Sequence, residues 1–454
     1  MSGVAEMMSA IGYEVSGSDL APSPTTARLR ALGIPVTTPH RADAVGAAEA
    51  LVVSAAIPDD NAEVQEARHR GLPVVRRGVM LAALARDRTT VAVTGTHGKS
   101  TTSSMITLLL AGCGLDPSAV IGARVPGLGG NVRIGRGGHF VVEADESEPS
   151  LLALRSDVAV LTNLEPEHLE QYGSVSALED TIVEFAHRVP ETGTVVLCAD
   201  DPGLRRLRGR LDRPVITYGL TSDDADVVGE RPRLSADGGS CQVRYRDGDW
   251  TAAIELRLGV PGRHTLLNAL AAFAVGRVLG LDPPRIVSAL AAFDGVDRRF
   301  QLKGVAGGVH VVDDYAHHPT EIDAVLATAR LQPRRRLVAV FQPHRYSRTA
   351  RFLTSFARAL AGFDVVVLTD VYPAGEAPRT GAGVEELAAA LAERTDAPVH
   401  HAPTLDDAVT LTAALARDGD LVLTLGAGSI GAVGPRILDR IRQRLATGMP
   451  GGDG

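Results

Sequence analysis

The chain has 454 residues, 45% of them hydrophobic and 22% charged, with a formal net charge of −8. That is room for about three domains with large cores, in a composition typical of folded globular proteins rather than disordered ones. No global basic field exists to hold nucleic acid or an anionic membrane, no apolar run approaches the ~18 residues of a membrane span, and the N-terminus lacks a signal pattern.

The expectation is therefore a cytoplasmic protein with no nucleic-acid or membrane partner. In chain order, residues 1–8 read as a helix and 13–18 as a strand ending at Asp19. Strand-like apolar runs follow at 51–54, 91–94, 140–144, 158–163, 195–198, 309–313, 337–342, 365–370 and 421–425. Helical periodicity falls between them at 102–111, 178–187, 266–279, 286–293, 320–329 and 405–416. Buried strands alternating with helices predict an α/β protein whose mostly parallel sheets are covered on both faces. Residues 225–258 are the exception: polar alternation with Asp237-Gly238 and Asp247-Gly248 predicts a hairpin extension. The charged patch at 86–88 and the Gly- and charge-rich stretch at 293–299 suggest three domains, 1–86, 87–294 and 295–454. Cys113, Cys198 and Cys241 are far apart with no CxxC, which excludes a disulfide framework or zinc knuckle. The only low-complexity stretch is the Gly-rich tail after Gly448.

The strongest chemical signal follows the strand at 91–94. Gly95-Thr96-His97-Gly98-Lys99-Ser100-Thr101-Thr102 is a tight glycine turn opening a helix, which aims backbone N–H groups and a positive dipole end at an anion. Lys99 would reach the β- and γ-phosphates of a nucleotide, and the Ser100 hydroxyl would ligate Mg²⁺. Lysine is scarce here, Lys99 and Lys303 being the only two against 44 arginines. A lysine that persists in such a chain marks a place where a compact ammonium and a guanidinium are not interchangeable. The bland alternative is a strand–helix turn with an incidental lysine.

Two further strand ends carry polar groups facing the same crevice. The run 140–143 ends in Glu143 and continues Ala144-Asp145-Glu146-Ser147-Glu148. Glu143 is the candidate metal ligand, because it lies inside the apolar run where an unpaired charge is costly. Glu146 and Glu148 read as a solvated acidic loop. The run 158–163 leads into Leu164-Glu165-Pro166-Glu167-His168, where His168 is either a structural histidine or a ligand.

These three segments resemble the ATP domain of the Mur ligases, which add amino acids to the peptidoglycan precursor. Further segments extend the likeness: Gly262-Arg263-His264 with Asn268, Arg298-Arg299-Phe300, Asp313-Asp314-Tyr315-Ala316-His317-His318-Pro319-Thr320-Glu321, and Phe341-Gln342-Pro343-His344-Arg345-Tyr346-Ser347-Arg348-Thr349. The last two are similar to the branch of the family that joins L-alanine to UDP-N-acetylmuramate. The resemblance runs from Ser2 to about Gly434. It implies a UDP-binding Rossmann-like domain, a P-loop-like ATP domain and a Rossmann-like C-terminal domain for the amino acid. It also implies a mechanism in which ATP phosphorylates the muramoyl carboxylate and the L-alanine amine displaces phosphate. Gly95, Thr96, His97, Gly98, Lys99, Ser100 and Thr101 would hold ATP, with Asn268, Arg299, Asp314 and Tyr315. Lys99, Glu143 and His168 would carry catalysis. Ser100 and Glu143 would take one Mg²⁺, Glu143 and His168 the other. His317, His344, Arg345 and Arg348 would contact the amino acid, although an arginine-rich solvated loop explains the last three equally well. Asp19, His40 and Ser54, with Ala55-Ala56-Ile57 beyond it, would remain for the UDP substrate. A monomer or weak homodimer is expected.

The sequence departs from the family pattern at its start. The acid closing the second strand of a dinucleotide-type βαβ unit lies about 20 residues beyond the Gly-rich loop, and ~20 residues before Asp19 is Met1 itself. A first strand and glycine loop are missing, which points to a start codon placed too late or a truncated chain. An intact mass matching Met1–Gly454 for the native protein would overturn that expectation. Thr265 stands where the family often has asparagine, and Gly426-Ala427-Gly428-Ser429 reads as a structural turn. The competing readings are a sibling ligase that recycles a preformed peptide onto the same acid, a non-catalytic nucleotide-binding protein, and a generic ATPase or kinase.

Overall fold

The computed structural model describes residues 1–54, 56–147, 149–333 and 336–447. Ala55, Glu148 and the glycine-rich tail lie outside the described residues. The chain divides into two compact units: 1–233 with 240–259 and 265–294, and 234–239 with 260–264 and 295–454.

The first unit opens with the helix Ser2–Ala10. Strands β1 (Gly17–Ser18), β2 (Val36–Thr37), β3 (Leu51–Val53) and β4 (Val74–Arg76) form two separate parallel pairs, β1–β2 and β3–β4. The strand expected at 13–18 is shortened to its last two residues.

A ten-stranded sheet makes the body of this unit. In chain order its strands are β5 (Thr89–Thr94), β6 (Ser118–Val125), β7 (Gly130–Arg133), β8 (His139–Glu143), β9 (Val158–Leu161), β10 (Thr194–Cys198), β11 (Val215–Gly219), β12 (Val227–Ser235), β13 (Gly238–Asp247) and β14 (Trp250–Leu258). Their spatial order is β14-β13-β12-β11-β10-β9-β5-β8-β6-β7. β5 lies between β8 and β9, parallel to both. Val91, Ala92 and Val93 of β5 and Phe140, Val141 and Val142 of β8 are all 0% exposed. Strands this apolar need cover on both faces, and helix Lys99–Gly112 supplies part of it over β5, β6 and β8. The predicted Asp-Gly turns join β12 to β13 and β13 to β14 at the sheet's edge.

The second unit holds a six-stranded sheet of β15 (Gln301–Ala306), β16 (Val309–Asp314), β17 (Arg336–Phe341), β18 (Val365–Leu368), β19 (Val399–His401) and β20 (Asp420–Leu425), in the order β15-β16-β20-β17-β18-β19. Only β15 runs antiparallel. Side chains alternate across each strand. Ala339 and Phe341 of β17 therefore join one apolar core with helices Pro319–Ala329 and Leu353–Leu360, while Val338 and Val340 join the other with helices Leu405–Leu415 and Val433–Ala446. The ends of β16, β20 and β17 are in register, Asp314 and Phe341 both aligning with Leu425. Polar residues that follow these ends thus emerge at one rim.

Candidate functional site

Register brings the three sequence signals of the first unit together. Val93 of β5 aligns with Glu143, and Thr94 with Leu161 of β9. The loop after β5 is stitched to the segment after β9: Asn163 Oδ1 accepts from the His97 N–H at 2.7 Å, and Asn163 Nδ2 donates to the His97 carbonyl at 3.0 Å. Thr162 Oγ1 donates to that same carbonyl at 2.7 Å, and Thr96 Oγ1 accepts from the Glu165 N–H at 2.9 Å. Two glycines are sterically required. Gly95 has φ +132° and a Cβ there would meet Thr162 Oγ1 at 2.2 Å; Gly98 has φ +81° and a Cβ there would meet Asn268 Oδ1 at 2.7 Å. Asn268, buried at 7% exposure, is therefore held against the loop rather than being an incidental polar residue of its helix. Gly98 caps helix Lys99–Gly112, and Thr101 sits in its first turn.

Lys99 Nζ donates to the carbonyls of Gly95 at 2.7 Å and Thr96 at 3.1 Å, and pairs with Glu146 Oε2 at 2.7 Å. Burial penalises the ammonium, but the carboxylates of Glu146, Asp145 and Glu143 outweigh that and hold the Lys99 pKa above its ordinary value. Ser100 Oγ donates to Glu143 Oε2 at 2.9 Å, and the same oxygen accepts from the Gly122 N–H at 2.7 Å. His168 has φ +56° and caps the short helix Leu169–Tyr172. Its Nε2 lies 3.5 Å from Glu146 Oε1. A non-glycine residue in the left-handed region costs roughly 1–3 kcal/mol unless its surroundings impose it.

Glu146 corrects the sequence reading. Expected in a solvated loop, it is 1% exposed and lies between Lys99 and His168. The Tyr172 hydroxyl donates to its backbone carbonyl, and burial raises the Tyr172 pKa above its usual range. The available signal was the lysine itself, since a buried ammonium requires a counter-charge. Asn163 was also missed as an anchor of the loop, though it lies two residues past the end of β9.

In the second unit, Arg299, Asp314, Tyr315, His317, His344, Arg345 and Arg348 gather where β16 and β17 end. Asp314, buried, accepts from the N–H groups of Phe300 and Ala316, each at 2.7 Å, and burial pushes its pKa up to about 6. The Tyr315 ring lies near the guanidinium groups of Arg298 and Arg299, at 5.1 and 5.3 Å. Burial depresses His317 to about 3 and His344 to about 4, so both imidazoles are neutral near pH 7. Arg348 Nη1 is 3.2 Å from His344 Nδ1, and the His344 ring stacks on Tyr372 at 5.4 Å. Arg348 is 9% exposed, so it is not part of a solvated arginine loop. Arg298, Phe300 and Arg345 all have positive φ. The Gly426–Ser429 turn is tied to this rim, with the Gly426 N–H donating to the Asp314 carbonyl at 3.2 Å and its carbonyl accepting from Arg298 at 2.6 Å.

Nearer the N-terminus, His40 Nδ1 lies 2.8 Å from Ser18 Oγ, which donates to Glu63 Oε2 at 2.8 Å. Asp19, the next residue, is exposed, and Ser54 is half-buried just after β3. The sequence singles out His40 but not Ser18 and Glu63, which lie against its ring.

Comparison with known proteins matches residues 1–89 to the Mur ligase family catalytic domain, 93–276 to the Mur ligase middle domain and 298–428 to the Mur ligase glutamate ligase domain. The UDP-N-acetylmuramate–L-alanine ligase of Halorhodospira halophila is 48% identical over 95% of this chain and 90% of its own length. That of Pelotomaculum thermopropionicum is 44% identical over 99% of this chain and 96% of its own. Among solved structures, the UDP-N-acetylmuramate–alanine ligase MurC of Thermotoga maritima superposes with a TM-score of 0.82 at 30% identity, covering 98% of this chain and 96% of that one. A murein peptide ligase of Psychrobacter arcticus shares the fold, with a TM-score of 0.74 at 24% identity over 97% of this chain and 96% of that one. Matched along nearly its whole length, with Lys99, Ser100, Glu143 and Glu146 in contact at adjoining strand tips, the chain belongs to the Mur ligase family.

Proposed function

We propose that this protein is an ATP-dependent ligase that joins L-alanine to the carboxylate of UDP-N-acetylmuramate through an acyl phosphate, in peptidoglycan precursor synthesis. One observation carries the reading: Lys99, Ser100, Glu143, Glu146 and His168 meet at the tips of β5, β8 and β9, in a chain 44–48% identical to enzymes of that name. A carboxylate acylates poorly until one oxygen is made a good leaving group, and phosphorylation does this. Loop N–H groups and the Lys99 ammonium stabilise charge on the phosphoryl group in flight. The donors also suit a hard dication. Ser100 Oγ and Glu143 Oε2 are oxygen ligands already in contact, and they would hold one Mg²⁺, with Glu143 and His168 for a second. Bound there, Mg²⁺ would neutralise phosphate charge.

Asn268, Arg299, Asp314 and Tyr315 would complete the nucleotide site, Asp314 as acceptor for a ribose hydroxyl. Arg345 and Arg348 would take the L-alanine carboxylate, with neutral His317 and His344 beside it. Asp19, His40 and Ser54 would contact the UDP substrate. Domains 1–86, 87–294 and 295–454 would divide the three tasks. A nucleotide-linked precursor and ATP imply work in the cytoplasm, and no described helix is long and apolar enough to cross a membrane.

The test is phosphate release from ATP with UDP-N-acetylmuramate and, in turn, L-alanine, glycine, L-serine and a muramoyl tripeptide's free peptide. L-alanine should give the fastest release. Release with the tripeptide and none with L-alanine would transfer the protein to the recycling ligases. Nucleotide binding without any acceptor-dependent release would make it a non-catalytic binder.

A further inference from the structure

Helix Pro319–Ala329 begins with His318 as its N-cap and Glu321 three residues on. In a simple capping box the glutamate satisfies one N–H and has no other task. Glu321 does more. Its Oε2 accepts from the backbone N–H of His317 at 3.0 Å and of His318 at 3.3 Å, and lies 3.3 Å from His317 Nδ1. Its Oε1 lies 3.4 Å from Arg299 Nη1. The His317 Nδ1 also faces the Tyr315 carbonyl at 3.0 Å. With acceptors on both sides, Nδ1 carries the proton of the neutral ring, and Nε2 is left as an acceptor. The Glu321 side chain is only 11% exposed, so its charge is weakly screened.

We infer that Glu321 is a positioning residue for the ligase reaction, one carboxylate that fixes both Arg299 and the His317 loop. The inference rests on the reading above, in which Arg299 serves the nucleotide and His317 the amino acid. Its two oxygens then tie two substrates' contacts to a single group, and disturbing it must weaken both together. Binding of UDP-N-acetylmuramate uses other residues and is not affected.

The test uses the full chain with Glu321→Gln, which keeps an acceptor for the cap but removes the charge, and Glu321→Asp, which keeps the charge. For Glu321→Gln, the KM values for ATP and L-alanine each rise about tenfold, the KM for UDP-N-acetylmuramate stays within about twofold, and ADP affinity by calorimetry falls about tenfold. Glu321→Asp recovers part of the ADP affinity. Adding Glu321→Gln to Arg299→Ala lowers ADP affinity no further than Arg299→Ala alone. Unchanged KM values with only a lower melting temperature would overturn the proposal and leave a helix cap. So would additive effects of the two substitutions on ADP binding. A wild-type enzyme inert with L-alanine would defeat the functional reading instead, and the ADP cycle would still decide whether Glu321 acts through Arg299.

Discussion

Lys99 is held by two backbone carbonyls and one carboxylate, all within 3.1 Å of its Nζ. A compact ammonium fits that nest, whereas a planar guanidinium is longer and needs donors fanned in one plane. Lys99→Arg should therefore abolish acceptor-dependent phosphate release, by about a thousandfold or more, in a chain that otherwise uses arginine almost everywhere. Near-normal turnover would refute the assignment. Glu146 is the subtler case. It faces Lys99 on one oxygen and His168 on the other, so Glu146→Gln removes the main counter-charge of the ammonium and the negative charge beside the imidazole. Activity should fall about 10–100-fold, the usual effect of removing a group that orients ligands. Steady-state kinetics on a variant with an unchanged melting temperature checks it, and a loss smaller than about threefold would make the pair merely structural.

At the scale of elements, the loop between β5 and helix Lys99–Gly112 works because its glycines allow it to lie against neighbouring backbone. Gly95 combines φ +132° with a neighbour 2.2 Å from where a Cβ would sit, so strain and overlap add. Gly95→Ala should destabilise the first unit by about 2 kcal/mol or more, read as a lower urea midpoint. Unaltered stability would mean the loop can shift without cost. The parallel order β9-β5-β8 explains why so short a motif commands so many groups, since each strand ends at the same rim and delivers its next residues there.

For the whole molecule, the second unit buries imidazoles neutral at its rim. His317 and His344 sit at about 3 and about 4 in the folded state, against an ordinary value near 6.5. Below pH 6.5 the unfolded chain takes up protons that the folded chain refuses. Their stabilising contribution is thus present above pH 6.5 and lost as pH falls toward 4, about 2 kcal/mol each at pH 5. Asp314 acts in the opposite sense. Its value, raised to about 6, makes its contribution complete below the unfolded value and lost as pH rises through 6, so acidification returns roughly 1 kcal/mol. Urea melts at pH 7 and pH 5 should show a net loss, and the double variant His317→Gln with His344→Gln should shrink it. An equal loss in that variant would place the acid-sensitive groups elsewhere.

Much of this was legible in one dimension. The loop at 95–102, Glu143 and His168 each follow an apolar run, and a run of that kind buried in a parallel sheet presents its C-terminal end to a common crevice whatever the rest of the chain does. Local chemistry and strand periodicity therefore determined the α/β class, the glycine turn that opens a helix after β5, and the groups that are candidates for phosphate and metal. Glu146, Asn163, Ser18, Glu63 and Glu321 were not legible in this way. An acidic loop on the surface and one folded under a lysine have the same composition, and only the packing of β8 beside β5 decides between them. The same holds for Arg348, which the sequence does not separate from the other 43 arginines and which the fold buries beside His344. Sequence supplies residues able to carry charge; tertiary structure alone decides which of them lose water, because desolvation depends on what lies across space rather than along the chain.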